Sequence, residues 1–552
     1  MALASLGQQY LTAATPATIA GGLVLLAVLA TLWGTSVPAS LRTIPGPPGL
    51  PVLGNILQLG SRPHRMFQLW ANKYGELFRL KIGNDNWVIL CSAEAVREIF
   101  DKQSAITSGR PPMPVASDVF SGGNRLLFLS YGPKWRKLRT IVHKLLTPKA
   151  SETYKPSQEY EATKLVYDLA TDNNTDGTAF YTHVRRYTTS VVLTSTYGRR
   201  APVWDCDDVR EIYQIMNDFT TAAAPGGYVA DLLPALAKLP TRLQWWRPHA
   251  LQGYKNQAVV WMKHWNRLKE QMRQGKAPEC FVKQFLETDF KKQGITEEQA
   301  AFVAGSLLEA GSETTSSALN SCILYLAAYP DVQETANAEL TRVVGEERSP
   351  GYADEENLPY IWAMGKEVLR IRPVTTIGTP HYTTGDVVYK DHVIPKNTIV
   401  CLSQYALHFD PRKWHDPETF DPARYLDYPH KAGYYSAGDA RQRDHFDFGG
   451  GRRICPGLHL AENSLYITLA KILWAFKIEP PLDEQTGQPL PVDISDDAYE
   501  EGVNTLPKPF KVRFTPRSQK RLHVLKEEWA RAEAEGFYLG KIKVDVNGMV
   551  VA

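Results

Sequence analysis

The stretch Phe448-Gly-Gly-Gly-Arg-Arg-Ile-Cys455-Pro-Gly457 constrains this chain more than any other. Four glycines and a proline surround a single cysteine, and an apolar helical pattern begins at Leu458. Glycine has no Cβ, so the backbone here can approach a flat ligand closely. Gly451 and Gly457 flank Cys455, and Arg453 stands two residues before the sulfur. A cysteine beside an arginine and at a helix N-terminus is held as a thiolate, the form that binds metal. Taken alone, Cys455 reads as a small core hydrophobe in a turn. The flanking residues turn the reading towards a metal ligand.

Composition narrows the class. At 552 residues, 43% hydrophobic and 22% charged, the chain has the make-up of a globular protein with a large core. A formal net charge of +3 is almost neutral for this length, so nothing points to nucleic acid. The six cysteines (91, 206, 280, 322, 401 and 455) are far apart, with no Cys-x-x-Cys. That argues against a zinc site or a disulfide scaffold and fits a reducing compartment. The sequon at Asn173–Thr175 is read as a chance match on the cytosolic side.

No charged side chain precedes Arg42, and Ala17 to Trp33 is almost wholly apolar. Such a run is at the short end of what crosses a hydrocarbon core of about 30 Å. A cleaved signal peptide competes, but the segment before the run has no Lys or Arg. Arg42, Arg62 and Arg65 follow the span and place the body on the cytosolic side. The expected organisation is an N-terminal segment (1–16), a transmembrane anchor (17–38), a Pro-rich hinge (39–55), one domain (56–518) and a charged C-terminal extension (519–552).

Within the domain, Leu77–Ile82 and Trp87–Cys91 read as a hairpin around Gly83. The Gly-, Pro- and Ser-rich loop 108–124 is too long for a plain connection. Trp135 and Arg139 are four apart and share a helix face; alone, such a pair is an ordinary cation–π contact. Lys134, Arg136 and Lys137 beside it are either a solvated face or a docking surface. From Ser151 to about Lys292 the pattern is mainly helical, broken at 222–227. Thr296-Glu-Glu-Gln299 is a capping box, opening a helix with no proline before Pro330. Midway, the small residues Ala310 and Gly311 leave one face open for a flat cofactor. Glu313 and Thr314 beside them are an acid and an alcohol able to relay protons. A helix contact through small residues is the competing reading. Glu367 and Arg370 are three apart on another helical stretch, with Arg424 further on. Val374–Thr379 reads as extended, and Leu458–Phe476 as an apolar helix.

These motifs, in this order, resemble the cytochrome P-450 superfamily over about residues 45–518, in its membrane-bound fungal form of secondary metabolism. The resemblance implies a mainly α fold with small β-sheets (α+β), with haem b between the long central helix and the cysteine-loop helix. It implies that Cys455 is the axial ligand of the haem iron. Trp135, Arg139, Arg453, His381, Phe448, Gly457, Ala310 and Gly311 would line the cofactor, His381 reading equally as an ordinary turn histidine. Thr314 and Glu313 would relay protons, while Glu367, Arg370 and Arg424 would form a buried structural network. Val503–Leu506 would be a hairpin tip closing the pocket. The implied activity is monooxygenation of a small hydrophobic, aromatic or polyketide-derived substrate with O2. Electrons would come from a separate NADPH-cytochrome reductase in the endoplasmic reticulum membrane. A haem-thiolate isomerase or dehydratase, or a haem sensor, is the alternative.

Overall fold

The computed structural model describes residues 37–551 and Gly22, apart from residues 52, 173–176, 501 and 503. The expected anchor at 17–38 falls almost wholly outside the described residues, and the sequon at Asn173–Thr175 wholly so. Among the described residues no helix is long and apolar enough to cross a membrane.

In chain order the longer helices are α1 (Pro63–Tyr74), α2 (Pro133–Leu145), α3 (Lys155–Thr171), α4 (Phe180–Tyr197), α5 (Asp207–Ala223), α6 (Arg247–Arg273), α7 (Glu297–Ala328), α8 (Pro330–Val343), α9 (Pro359–Ile371), α10 (Leu458–Ala475) and α11 (Gln519–Glu535). The strands are β1 (Leu77–Ile82), β2 (Asp85–Leu90), β3 (His381–Tyr382), β4 (Val387–Tyr389), β5 (His392–Ile394), β6 (Ile399–Leu402), β7 (Phe476–Glu479), β8 (Arg513–Pro516), β9 (Phe537–Leu539), β10 (Ile542–Val544) and β11 (Val550–Val551). The main sheet has the order β1-β2-β6-β3, with β2 and β6 parallel. β4–β5 and β7–β8 are hairpin-like pairs, and β9 to β11 form a third small sheet. The fold is therefore mainly helical with small sheets.

The sequence signals act where they stand. Thr296 Oγ1 accepts from Gln299 N and Gln299 Oε1 from Thr296 N, both at 3.1 Å, so the capping box starts α7. Its last residue, Ala328, lies just before Pro330, which has no N–H to continue the ladder. Buried side chains of α3, α4, α7, α9 and α10 form the largest core cluster. The Pro-rich hinge is no free linker: Arg79 N donates to Pro45 O (2.8 Å) and Asn55 N to Lys81 O (2.6 Å), laying it along β1.

The C-terminal extension is folded onto the domain. Trp529 of α11 meets Tyr160 of α3 edge-on at 5.5 Å, in a cluster with Phe537, Leu539 and Val544. Arg200 donates to Val546 O while pairing with Glu161 of α3 (2.6 Å). Burial alone would raise the Glu161 carboxyl, but the charges of Arg200 and Arg186 bring it down to about 2. Trp529→Ala is expected to cost roughly 3–5 kcal/mol, read as a lower urea midpoint; an unchanged midpoint would show that the extension adds nothing to domain stability.

Candidate functional site

The cysteine loop is closed on itself and pinned from outside. Cys455 N donates to Phe448 O and Gly449 N to Phe446 O, both at 2.9 Å. Gly451 has φ +62°, and a Cβ there would stand 2.4 Å from Phe100 O, so only glycine fits without displacement. Its N–H donates to Asp101 Oδ1 (3.0 Å), while Arg443 donates to Gly449 O (3.2 Å). Cys455 is half-buried, just before α10, and Phe448 is partly buried against the main core. A Cβ on Gly457 would have only the Cys455 sulfur near it, at 4.0 Å.

Burial pushes the Cys455 thiol up; the Gly457 N–H and the Arg139 charge oppose this, and Asp447 adds to it. The expectation that neighbours alone keep the sulfur ionised is corrected in this respect. The arginine acting on it is Arg139, not Arg453, and burial outweighs both donors. A coordinated metal ion ionises such a thiol outright.

Arg453 instead belongs to a cluster of cations. Its guanidinium donates to Ser108 O (2.8 Å) and Leu129 O (2.5 Å) and lies 4.5 Å over the Trp135 ring. Arg139, on the same α2 face as Trp135, donates to Ile454 O in the cysteine loop. Arg110 donates to Leu127 O (2.9 Å) and Pro380 O (2.6 Å). None of the three has a carboxylate ion-pair partner among the described residues. Burial and the charges of Arg110 and Arg139 lower Arg453 to about 8; burial lowers Arg110 to about 10. His381 is buried beside them, stacked 4.1 Å from Phe100, with Nδ1 on Thr107 O at 2.9 Å. Burial, then Arg110 and Arg453, hold it far below the usual imidazole range, so the ring is neutral.

Arg110 is buried and Arg139 and Arg453 half-buried, and cations grouped this way without acids favour a bound anion. A flat group with a central metal and two carboxylates fits this donor set: a sulfur for the metal, guanidiniums for the acids. The residues present thus suit the haem implied by the sequence.

At the middle of α7, Ala310 is exposed between the buried residues Glu309 and Ser312. Glu313 and Thr314, three and four positions on, share its face and are half-buried. Thr314 Oγ1 donates back to Ala310 O (2.6 Å), and Glu313 Oε2 accepts from Asn504 Nδ2 (3.4 Å). Gly311 turns elsewhere: a Cβ would stand 2.7 Å from Val192 Cγ2 of α4. Its smallness serves the α4–α7 contact, and Ala310 alone of the pair gives the open face.

Behind the loop, Glu367 accepts from Arg370 Nε (2.7 Å) and Nη2 (2.8 Å), from Arg424 Nε (3.1 Å) and from Asp421 N (2.9 Å). Burial alone would lower Arg370, but its bonds and charge contact with Glu367 carry it above the usual guanidinium value. His408 joins this network to the loop: its Nδ1 bonds Arg370 O (3.0 Å), and its Nε2 accepts from Phe446 N (2.7 Å).

Sequence reasoning missed Arg110, His408 and the buried pair of Arg125 with Glu309, the residue before Ala310; it named Asn504 only within the 503–506 hairpin tip, of which residue 503 lies outside the described residues. Arg110 and Arg125 sit in or beside the long loop 108–124, whose length was a signal. No spacing marked the individual residues.

The protein-family model "Cytochrome P-450" matches residues 44–514. A cytochrome P-450 monooxygenase of Aspergillus terreus, pgmC, is 43% identical over 92% of this chain and 93% of its own. Another from Clonostachys rogersoniana, verL, is 40% identical over 93% of this chain and 94% of its own. Among solved structures, a zebra fish cytochrome P-450 with progesterone superposes with TM-score 0.68 at 26% identity, covering 82% of this chain and 99% of that one.

Glu367→Gln leaves two buried guanidiniums short of a charge and is expected to destabilise the protein by about 3–5 kcal/mol. Urea unfolding monitored at the tryptophans checks it; a loss under about 1 kcal/mol would place the network's weight elsewhere.

Proposed function

The chain belongs to the cytochrome P-450 family of oxygen-incorporating oxidoreductases, and on that premise we propose that it hydroxylates a small hydrophobic substrate. The balanced reaction is RH + O2 + NADPH + H+ → ROH + H2O + NADP+, with electrons delivered by a separate NADPH-cytochrome reductase. One observation carries the reading: the half-buried Cys455 and the acid-free arginine cluster occur together with an acid–alcohol pair beside an open Ala310.

Cys455 would hold the iron of haem b, and Arg110, Arg139 and Arg453 would hold its carboxylates; when bound, the haem would supply the redox and oxygen chemistry. The protein's own residues do the rest. Trp135 and neutral His381 stand beside the arginine cluster. Ala310 leaves space on α7 that a larger side chain would fill. Glu313 holds or gives up a proton at its carboxylate. The Thr314 hydroxyl, which donates to Ala310 O, keeps its lone pairs to accept a proton and pass one on.

The relatives of Aspergillus terreus and Clonostachys rogersoniana, both named monooxygenases, support the monooxygenase reading; a place in secondary metabolism and an aromatic or polyketide-derived substrate are proposed from the sequence resemblance. We assign residues 17–38 as a single anchor in the endoplasmic reticulum membrane, with the domain in the cytosol. Exposed Leu50, Leu53, Ile56 and Leu57, just beyond it, suit contact with lipid.

Two measurements test the reading. The reduced protein with carbon monoxide is expected to show the strongly red-shifted thiolate-haem band, absent in Cys455→Ala; a histidine-type band would overturn the ligand assignment. Thr314→Ala is expected to lower product formed per NADPH by about 10- to 100-fold. An unchanged yield would remove Thr314 from proton delivery.

A further inference from the structure

The turn flanked by the Tyr499–Pro507 bridge is stitched to α7 at two successive helical turns. Asn504 Nδ2 donates to Glu313 Oε2 at 3.4 Å, and Ser317 Oγ donates to Thr505 O. On its other side Thr505 N donates to Val374 O (2.7 Å), where the 374–379 stretch begins. Asn504 and Thr505 thus link the acid of the acid–alcohol pair to the start of the 374–379 stretch.

Glu313 has no ion-pair partner among the described residues, and Asn504 is the side chain that donates to its carboxylate. Of the titratable and charged groups around it, Tyr213 of α5 feels the Glu313 charge, Arg185 of α4 lies 5.8 Å over the Tyr213 ring, and Glu309 stands one turn earlier on α7. Arg125 already holds Glu309. A lysine or arginine would clamp Glu313 in its ionised form. A neutral amide at 3.4 Å orients the carboxylate without neutralising it, and releases it at little cost.

We infer that Asn504 is a positioning residue for Glu313, holding the acid of the acid–alcohol pair where it can deliver a proton. This rests on the monooxygenase reading above. When the acid is misplaced, electrons leave without product as O2 + NADPH + H+ → H2O2 + NADP+.

The test uses the full chain carrying haem. The carboxyl infrared signal of Glu313, identified by its disappearance in Glu313→Gln, is titrated without turnover. Asn504→Asp sets a second carboxylate beside Glu313, and the pair is expected to titrate about one pH unit or more higher than Glu313 alone. Asn504→Leu is expected to give a smaller rise through loss of the donor, and Asn504→Gln to restore the wild-type titration. With the reductase and 7-ethoxycoumarin as an aromatic probe, Asn504→Leu is expected to raise H2O2 per NADPH by roughly 3- to 10-fold, with no further rise in a Glu313→Gln background. A Glu313 titration that Asn504→Asp leaves unmoved overturns the proposal, as does a Leu effect that persists without Glu313. If Glu313→Gln itself leaves H2O2 per NADPH unchanged, the relay reading fails instead, while the infrared titration still decides whether Asn504 positions the acid.

Discussion

The cysteine loop depends on a carboxylate it never touches. Glu367 takes two bonds from Arg370, one from Arg424 and one from the Asp421 backbone. The remaining guanidinium N–H groups go to carbonyls: Arg370 to His408 and Pro417, Arg424 to His415. A buried charge is tolerable only when satisfied this fully. Because His408 is neutral, one ring nitrogen donates to Arg370 O while the other accepts from Phe446 N. Two residues beyond Phe446, Phe448 O receives the Cys455 N–H. The position of the sulfur is therefore inherited, bond by bond, from the interior of α9.

Clustered charge appears in two forms in this molecule. Around Glu367 and around Glu161, acids and arginines meet at hydrogen-bond distance, and the result is structure. Around Arg110, Arg139 and Arg453, guanidiniums meet only carbonyls and the face of Trp135, and they repel one another. The chain stabilises this second arrangement through the packing of α2 and the loops about it. The first arrangement is complete in itself, whereas the second leaves its charges open to an anion.

α7 ties these parts together because its faces do different work. Gly311 lets α4 come close. Glu309 takes the buried Arg125 from the loop before α2. Glu313 and Ser317 hold the C-terminal turn, and Ala310 stays uncovered. One long, well-capped helix can serve three neighbours at once since residues three and four apart repeat along each face.

Local order was legible in the residues themselves. The capping box and Pro330 bounded α7, Gly83 marked the hairpin, and the spacing around Cys455, Glu367 and Thr314 marked the motifs. What pairs across long separations was not. Arg110 meeting Arg453, His408 joining Arg370 to Phe446, Asn504 reaching Glu313 and α11 docking on α3 leave no period or spacing in the chain. Arg453 shows the limit well: two residues from the cysteine in sequence, it turns to Trp135 and the carbonyls of another loop, and Arg139 takes the place beside the sulfur. Elements, motifs and their chemistry follow from the residues alone, because helix caps, turns and side-chain types act within a few positions. Which charges stand together follows from the fold, because electrostatics acts through space and nearness along the chain does not set it.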